Sequence, residues 1–68
     1  MIIIRDTFRQ GNDTYVADYR LDEITVETLQ PLVGVSVGSR RLAELVTQLN
    51  YSGWGTLGWS DYTVISWG

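Results

Sequence analysis

The stretch IIIRDTFRQGNDTYVADYRL, from Ile2 to Leu21, decides the fold of this 68-residue chain. Residues 2–9 and 14–21 each alternate between two faces and are rich in β-branched and aromatic side chains, which is typical of strands. Between them, Gln10-Gly-Asn-Asp13 offers the residues that tight turns prefer. The stretch therefore predicts a β-hairpin. In its first strand, the residues assigned to one apolar face are Ile2, Ile4 and Phe8.

Two helices are predicted after the hairpin. Residues 39–50 place Leu42, Leu45, Val46 and Leu49 at i, i+3, i+4 and i+7, which is the spacing of one apolar helix face. A shorter helix is expected near residues 23–30, with Asp22 or Thr25 as its N-cap. Pro31 limits this helix because proline lacks the backbone N–H. A strand over residues 24–28 is the alternative.

The segment 51–68 holds all three tryptophans and four of the seven glycines, but only one charge, Asp61. From Trp59 to Trp67 apolar residues alternate on both faces, which predicts a strand inside a sheet or against a partner. We expect Trp59, Ile65 and Trp67 to belong to the core. Trp54 and Tyr62 are then the candidates for an aromatic partner-binding surface.

Together these elements predict an α+β fold for a single domain, residues 1–68. The expected order is ββααβ: an antiparallel sheet of about three strands with two short helices on one face. The last strand must pair with one of the hairpin strands or be held by another molecule, because a frayed, tryptophan-rich strand invites aggregation. Residues 54–57 are expected to form only a short extended piece.

Composition argues against most enzyme classes. The chain has no cysteine and no histidine, so disulfides, the common zinc ligands and the commonest general base are missing. We therefore expect no catalytic residues, no metal and no cofactor. No apolar run approaches the length of about 18 residues that spans a bilayer. The expectation is a non-enzymatic protein of the cytoplasm that does not bind membranes.

The charge is concentrated. Eight acids and five arginines give a net charge of −3, and residues 13–27 hold five acids against Arg20. Such a segment repels nucleic-acid phosphate and attracts a basic protein surface. A solvated hairpin edge followed by a helix start would carry acids for no functional reason, and this second interpretation stays open.

Several of these features resemble small phage-encoded anti-CRISPR inhibitors of type I systems. The similar features are a hairpin that ends in Tyr15-Val-Ala-Asp-Tyr19, an acidic helix start at Asp22-Glu23, then Gly34-Val-Ser-Val37 and an amphipathic helix. The resemblance implies a non-enzymatic inhibitor that blocks the nucleic-acid-binding site of a host defence complex, possible partners including a CRISPR effector subunit. The carboxylates that would mimic DNA phosphates are Asp18, Asp22, Glu23 and Glu27.

Two other functions remain open from the sequence. The first is a homodimeric or accessory interaction module, similar to an antitoxin, that uses Trp54, Tyr62 and the last strand. The second is a small helix-turn-helix DNA-binding protein, with Arg40 and Arg41 opening the second helix of residues 24–50. The chain has no lysine and is acidic overall, which disfavours direct binding of nucleic acid.

Overall fold

A computed structural model describes residues 1–34, 36–58 and 60–68 of the protein. Val35 and Trp59 lie outside the described residues. The predicted core position of Trp59 therefore also falls outside them. The described residues form an α+β fold of four strands and two helices. In chain order these are β1 Ile2–Gln10, β2 Asp13–Leu21, α1 Val26–Val33, α2 Ser39–Ser52, β3 Trp54–Leu57 and β4 Ser60–Ser66.

The predicted hairpin is confirmed. Strands β1 and β2 pair antiparallel in one continuous register from Ile2 opposite Leu21 to Gln10 opposite Asp13. Gly11 has a positive φ of 63°, whereas Asn12 does not, which is the pattern of a type II′ turn with glycine at its first central position. The twist of this turn matches the twist of the flanking strands, so the turn sets the register.

The sheet has one more strand than the sequence predicts. Its order is β2-β1-β4-β3 and every neighbouring pair is antiparallel. The segment expected to be one short extended piece and one strand is instead a second hairpin. Strand β3 lies between two glycines at positive φ, Gly53 at 80° and Gly58 at 62°. These two residues supply the left-handed backbone that ends α2 and turns β3 into β4.

Helix α2 packs against strands β3 and β4, and helix α1 packs against α2, with Leu29 of α1 in the same buried cluster as Ile4 of β1. Helix α2 buries the expected stripe and ends two residues later than predicted. Helix α1 begins at Val26 rather than at residue 23, because Thr25 is the N-cap and its hydroxyl accepts from the N–H of Thr28. Pro31 lies inside the helix, which ends only two residues later. The fully buried side chains are Ile4, Leu29, Leu42, Leu45 and Leu49.

The predicted inward face of β4 is wrong. Ile65 and Trp67 are exposed, whereas Tyr62 is only 3% exposed and belongs to the core. Tyr62 lies opposite Asp6 of β1 on the helix side of the sheet, and the β1–β4 register shifts between Ile3 and Ile4. Apolar residues on both faces of a strand leave the facing undetermined, because a shift of one residue exchanges the two faces.

Gly55 sets the distance between helix α2 and strand β3. A Cβ atom at this position would lie 2.6 Å from Oε1 of Gln48 and 2.8 Å from Cδ1 of Leu45. Both distances are shorter than van der Waals contact, and Leu45 is fully buried. A residue larger than glycine would therefore push the helix away from the sheet.

We expect Gly55→Ala to lower the free energy of unfolding by about 1–3 kcal/mol, the usual cost of overpacking a core. Urea denaturation followed by tryptophan fluorescence measures this change. Gly68→Ala is the control, since Gly68 does not have a positive φ and a Cβ there would meet nothing within 4 Å. Equal stability of the two variants would show that the α2–β3 contact does not limit packing.

Candidate functional site

Two exposed aromatic residues flank the connection between helix α2 and strand β3, Tyr51 on the helix and Trp54 on the strand, and a third, Trp67, follows β4. Tyr51 is 92% exposed, Trp54 56% and Trp67 54%. A Cβ atom on Gly53, the residue that joins α2 to β3, would lie 3.7 Å from Cζ2 of Trp67. The ring of Trp67 therefore lies beside the connection that carries Tyr51 and Trp54. We call these three residues, with exposed Ile65, the aromatic end.

The backbone beneath the aromatic end is held by several hydrogen bonds. The N–H of Val64 donates to the carbonyl of Gly53 at 2.7 Å, and the N–H of Gly53 donates to the carbonyl of Leu49 at 3.1 Å. The hydroxyl of Ser52 lies within hydrogen-bond distance of the carbonyls of Gln48, at 2.9 Å, and Trp54, at 3.1 Å. The aromatic side chains are thus presented from a fixed backbone, which reduces the entropy lost on binding.

Asp22 and Glu23 lie at the same end of the molecule. The side-chain amide of Asn50, in the last turn of α2, donates to the carbonyl of Ile24 at 3.1 Å. In the sheet, Leu21 is opposite Ile2, and the adjacent Ile3 is opposite Ser66. These contacts bring the acidic segment after β2 to the same end as the C-terminal part of α2 and the end of β4.

The acidic segment is fixed to the start of α1. The hydroxyl of Thr28 donates to the carbonyl of Glu23 at 2.8 Å, and Glu27 lies in the first turn of α1. Asp22, Glu23 and Glu27 are exposed, and none of the ion pairs within the described residues involves them. We call these three residues the acidic rim.

Asp18, the fourth predicted carboxylate, is separate from the acidic rim. It lies on the sheet face away from the helices and forms a two-pronged ion pair with Arg5, at 2.9 Å from Nε to Oδ1 and 3.2 Å from Nη2 to Oδ2. The hydrogen bond from Arg5 lowers the pKa of Asp18, and the same bond raises the pKa of Arg5. The charge of Asp18 is therefore already balanced within the chain.

The two predicted aromatic candidates have different positions. Trp54 lies on edge strand β3, opposite Thr63 on the face away from the helices. Tyr62 is a core residue, and burial raises the pKa of its hydroxyl, with Asp6 adding to the effect. Tyr62 therefore does not belong to a surface. Sequence reasoning missed Tyr51 and Trp67; the signal for Tyr51 was its position outside the leucine stripe of α2.

Asp6 is a buried carboxylate that the sequence reasoning also missed. It is 5% exposed, and within the described part of the chain its Oδ1 has no hydrogen-bond partner. Burial raises its pKa; the side chain of Ser60 partly offsets this, and the charge of Asp61 adds to it. The sequence does carry a sign of this burial. Side chains alternate between the two faces of a strand, so residue 6 lies on the same face of β1 as Ile4 and Phe8.

Comparison with protein-family models, curated proteins and solved structures gives no match to this chain. Among the described residues, no group of three or more acidic side chains is placed to hold a metal ion. No helix in the described ranges is long and apolar enough to cross a membrane. The case for function therefore depends on the surfaces described above.

We expect Asp6→Asn to raise the free energy of unfolding at pH 7 by about 1–3 kcal/mol, because it removes a carboxyl group whose ionisation burial opposes. The raised pKa in the folded state means that Asp6 favours folding below its unfolded pKa of about 4 and opposes it as pH rises through the folded value. The variant should therefore lose less stability than the wild type between pH 4 and pH 7.

Urea denaturation at a series of pH values tests this expectation. Asp18→Asn is the matched control, since the pKa of Asp18 is lowered and its ion pair adds stability that is lost as pH falls. The two variants should change the pH dependence in opposite directions. A pH profile of Asp6→Asn that is parallel to the wild-type profile would contradict the assignment of Asp6 as a buried titrating group.

Proposed function

We propose that this chain is a non-enzymatic protein that binds another protein through the aromatic end, with the acidic rim at its border. One observation carries the proposal: Tyr51, Trp54 and Trp67 are more than half exposed around Gly53. Tryptophan and tyrosine are enriched among the residues that dominate binding energy at interfaces. Exposing them to water in a 68-residue chain is otherwise unfavourable.

The arrangement resembles the usual anatomy of an interface. Aromatic side chains form the part that is desolvated on binding, and charged residues lie at the border, where water remains. A partner with a basic surface fits this arrangement, because Asp22, Glu23 and Glu27 have carboxylates that no cation in the described part of the chain neutralises.

A narrower form of the proposal is that the partner's basic surface is a nucleic-acid-binding site of a host defence complex, as for an anti-CRISPR inhibitor. Three carboxylates of the acidic rim support it, since none of the ion pairs among the described residues involves them and hydrogen bonds from Asn50 and Thr28 fix the backbone carbonyls of Ile24 and Glu23. They could compete with phosphates for arginine and lysine side chains. Asp18 is not included, because Arg5 already pairs with it.

The helix-turn-helix alternative has less support. The leucine face of α2 is buried against the sheet and α1, as a recognition helix also requires, but the opposite face carries Glu44 beside Arg40 at 4.0 Å. A surface of mixed sign on an acidic chain gives little attraction for phosphate. A mobility shift of duplex DNA at low salt would favour this alternative over the protein-binding proposal.

Replacing Trp54 and Trp67 together by serine is expected to weaken partner binding by at least about tenfold, because each is a candidate anchor residue. The measurement is capture of host-cell proteins on immobilised chain, quantified by mass spectrometry, followed by titration of the purified captured protein. Val16→Ser is the control, since Val16 is an exposed apolar residue of β2 far from the aromatic end. Equal loss in both variants would exclude the aromatic end as the binding surface.

Amide substitution of the acidic rim, Asp22→Asn with Glu23→Gln and Glu27→Gln, is expected to slow association and to remove most of its salt dependence. The matched control makes the same charge change elsewhere, through Asp13→Asn, Glu44→Gln and Asp61→Asn. For the narrower proposal, the readout is target-DNA binding by a purified type I surveillance complex. Undiminished inhibition by the acidic-rim variant would refute the DNA-mimic form and leave the aromatic interface standing.

A further inference from the structure

A cleft of about 690 Å³ lies at the opposite end of the molecule from the aromatic end. Its walls come from the tip of the β1–β2 hairpin, the connection between the two helices, the start of α2 and the turn between β3 and β4. The volume lies within the range of about 300–1,000 Å³ that is usual for small-molecule sites. Residues on its walls include Phe8, Val37 and Leu57, which are apolar, and Arg9 and Arg41, which are cationic.

The start of α2 has the reverse of the usual charge arrangement. Gly38 is its N-cap and makes no side-chain capping hydrogen bond, and the first turn holds no acid. Arg40 and Arg41 occupy that turn instead. The N-terminus of a helix already carries partial positive charge, so two arginines there raise its free energy unless an anion is near. Gly38 and Arg41 both line the cleft.

Neither cleft arginine is strongly held by an acid. Arg9 makes one long contact with Asp61, at 3.7 Å from Nη2 to Oδ2, and is well exposed. Arg41 takes part in none of the ion pairs within the described ranges. Two guanidinium groups thus lie on the walls of one cleft, and Asp61 is the one acid that forms an ion pair with either of them among the described residues.

We propose that this cleft binds a small organic anion. A phosphate or carboxylate group lies at the start of α2, between Arg41 and Arg9, because guanidinium groups pair with both kinds of anion in two-pronged fashion. An apolar or aromatic body packs against Phe8 and Leu57. The proposal is independent of the partner-binding function, since the cleft shares no residue with the aromatic end or the acidic rim.

The test is a titration of ¹⁵N-labelled protein followed by amide chemical shifts, with phenyl phosphate and benzoate as probes. Both probes are expected to shift the amide signals of Ser36, Gly38 and Ser60. Neither probe is expected to shift the amide signals of the aromatic end. Inorganic phosphate reports the anionic contribution, and phenol the apolar one; both are expected to bind at least about tenfold more weakly than phenyl phosphate. The comparison of phenyl phosphate with benzoate identifies which anion the cleft prefers.

Arg41→Gln should reduce affinity by at least about tenfold. Arg40→Gln is the matched control, because it removes the same charge from the adjacent residue, which is not on the cleft wall and extends into solvent. Equal effects of the two variants would show general charge attraction and overturn the proposal. So would unshifted cleft amides in the wild type at millimolar probe and low salt, a result that does not depend on whether the variants fold.

Discussion

The antiparallel pairing of β1 with β4 is the interaction on which the rest of the structure depends. It gives β1 a partner on each side, with Ile4 opposite Tyr19 of β2 and Val64 of β4. The central position buries Ile4 completely and provides the surface on which the leucines of both helices pack. It also brings the end of β4 to the same edge of the sheet as the end of β2, with the start of β1 between them. Without this pair, the aromatic end and the acidic rim would have no common support.

The same pairing separates two chemically different ends. Along β1 and α2, one end carries carboxylates and exposed aromatic rings, while the other carries Arg9, Arg41 and the uncapped start of α2. The outer face of the sheet between them holds the Arg5–Asp18 pair, which is internally neutral. Arg9 and Arg41 thus lie away from the acidic rim, whereas Arg20, opposite Ile3 of β1, lies at the same end of the sheet as the rim.

The hairpin and α2 were predictable because each has a single consistent apolar period. The structure of segment 54–67 was not predictable in the same way. Its glycines permit a turn that the apolar period does not reveal, and its apolar residues lie on both faces of the strand. The facing of β4 was therefore set by pairing with β1, which places Tyr62 inward opposite Asp6.

The candidate site was predictable only in part. The acids of the rim follow from local sequence, but the balance of Asp18 by Arg5 is a cross-strand effect between residues 13 positions apart. The two-sided alternation and lack of charge around Trp67 predict a core residue, whereas Trp67 is exposed. Asp6 lies on the inward face of β1, as the alternation of faces requires, although a carboxylate is rarely buried. Tertiary context decided each of these cases.

The order of the strands has a kinetic consequence. The β1–β2 hairpin joins neighbours in sequence, whereas β1 and β4 join residues as distant as Ile3 and Ser66. Hairpins form in about 1–10 μs, but pairing of distant segments must first overcome loop-closure entropy and dominates the folding time. Until β4 arrives, one edge of β1 stays open to any other strand. The folding time of this chain is thus set by its most distant strand pair. When many copies are synthesised close together, the unpaired edge of β1 can pair with a strand of a neighbouring copy before β4 is in place.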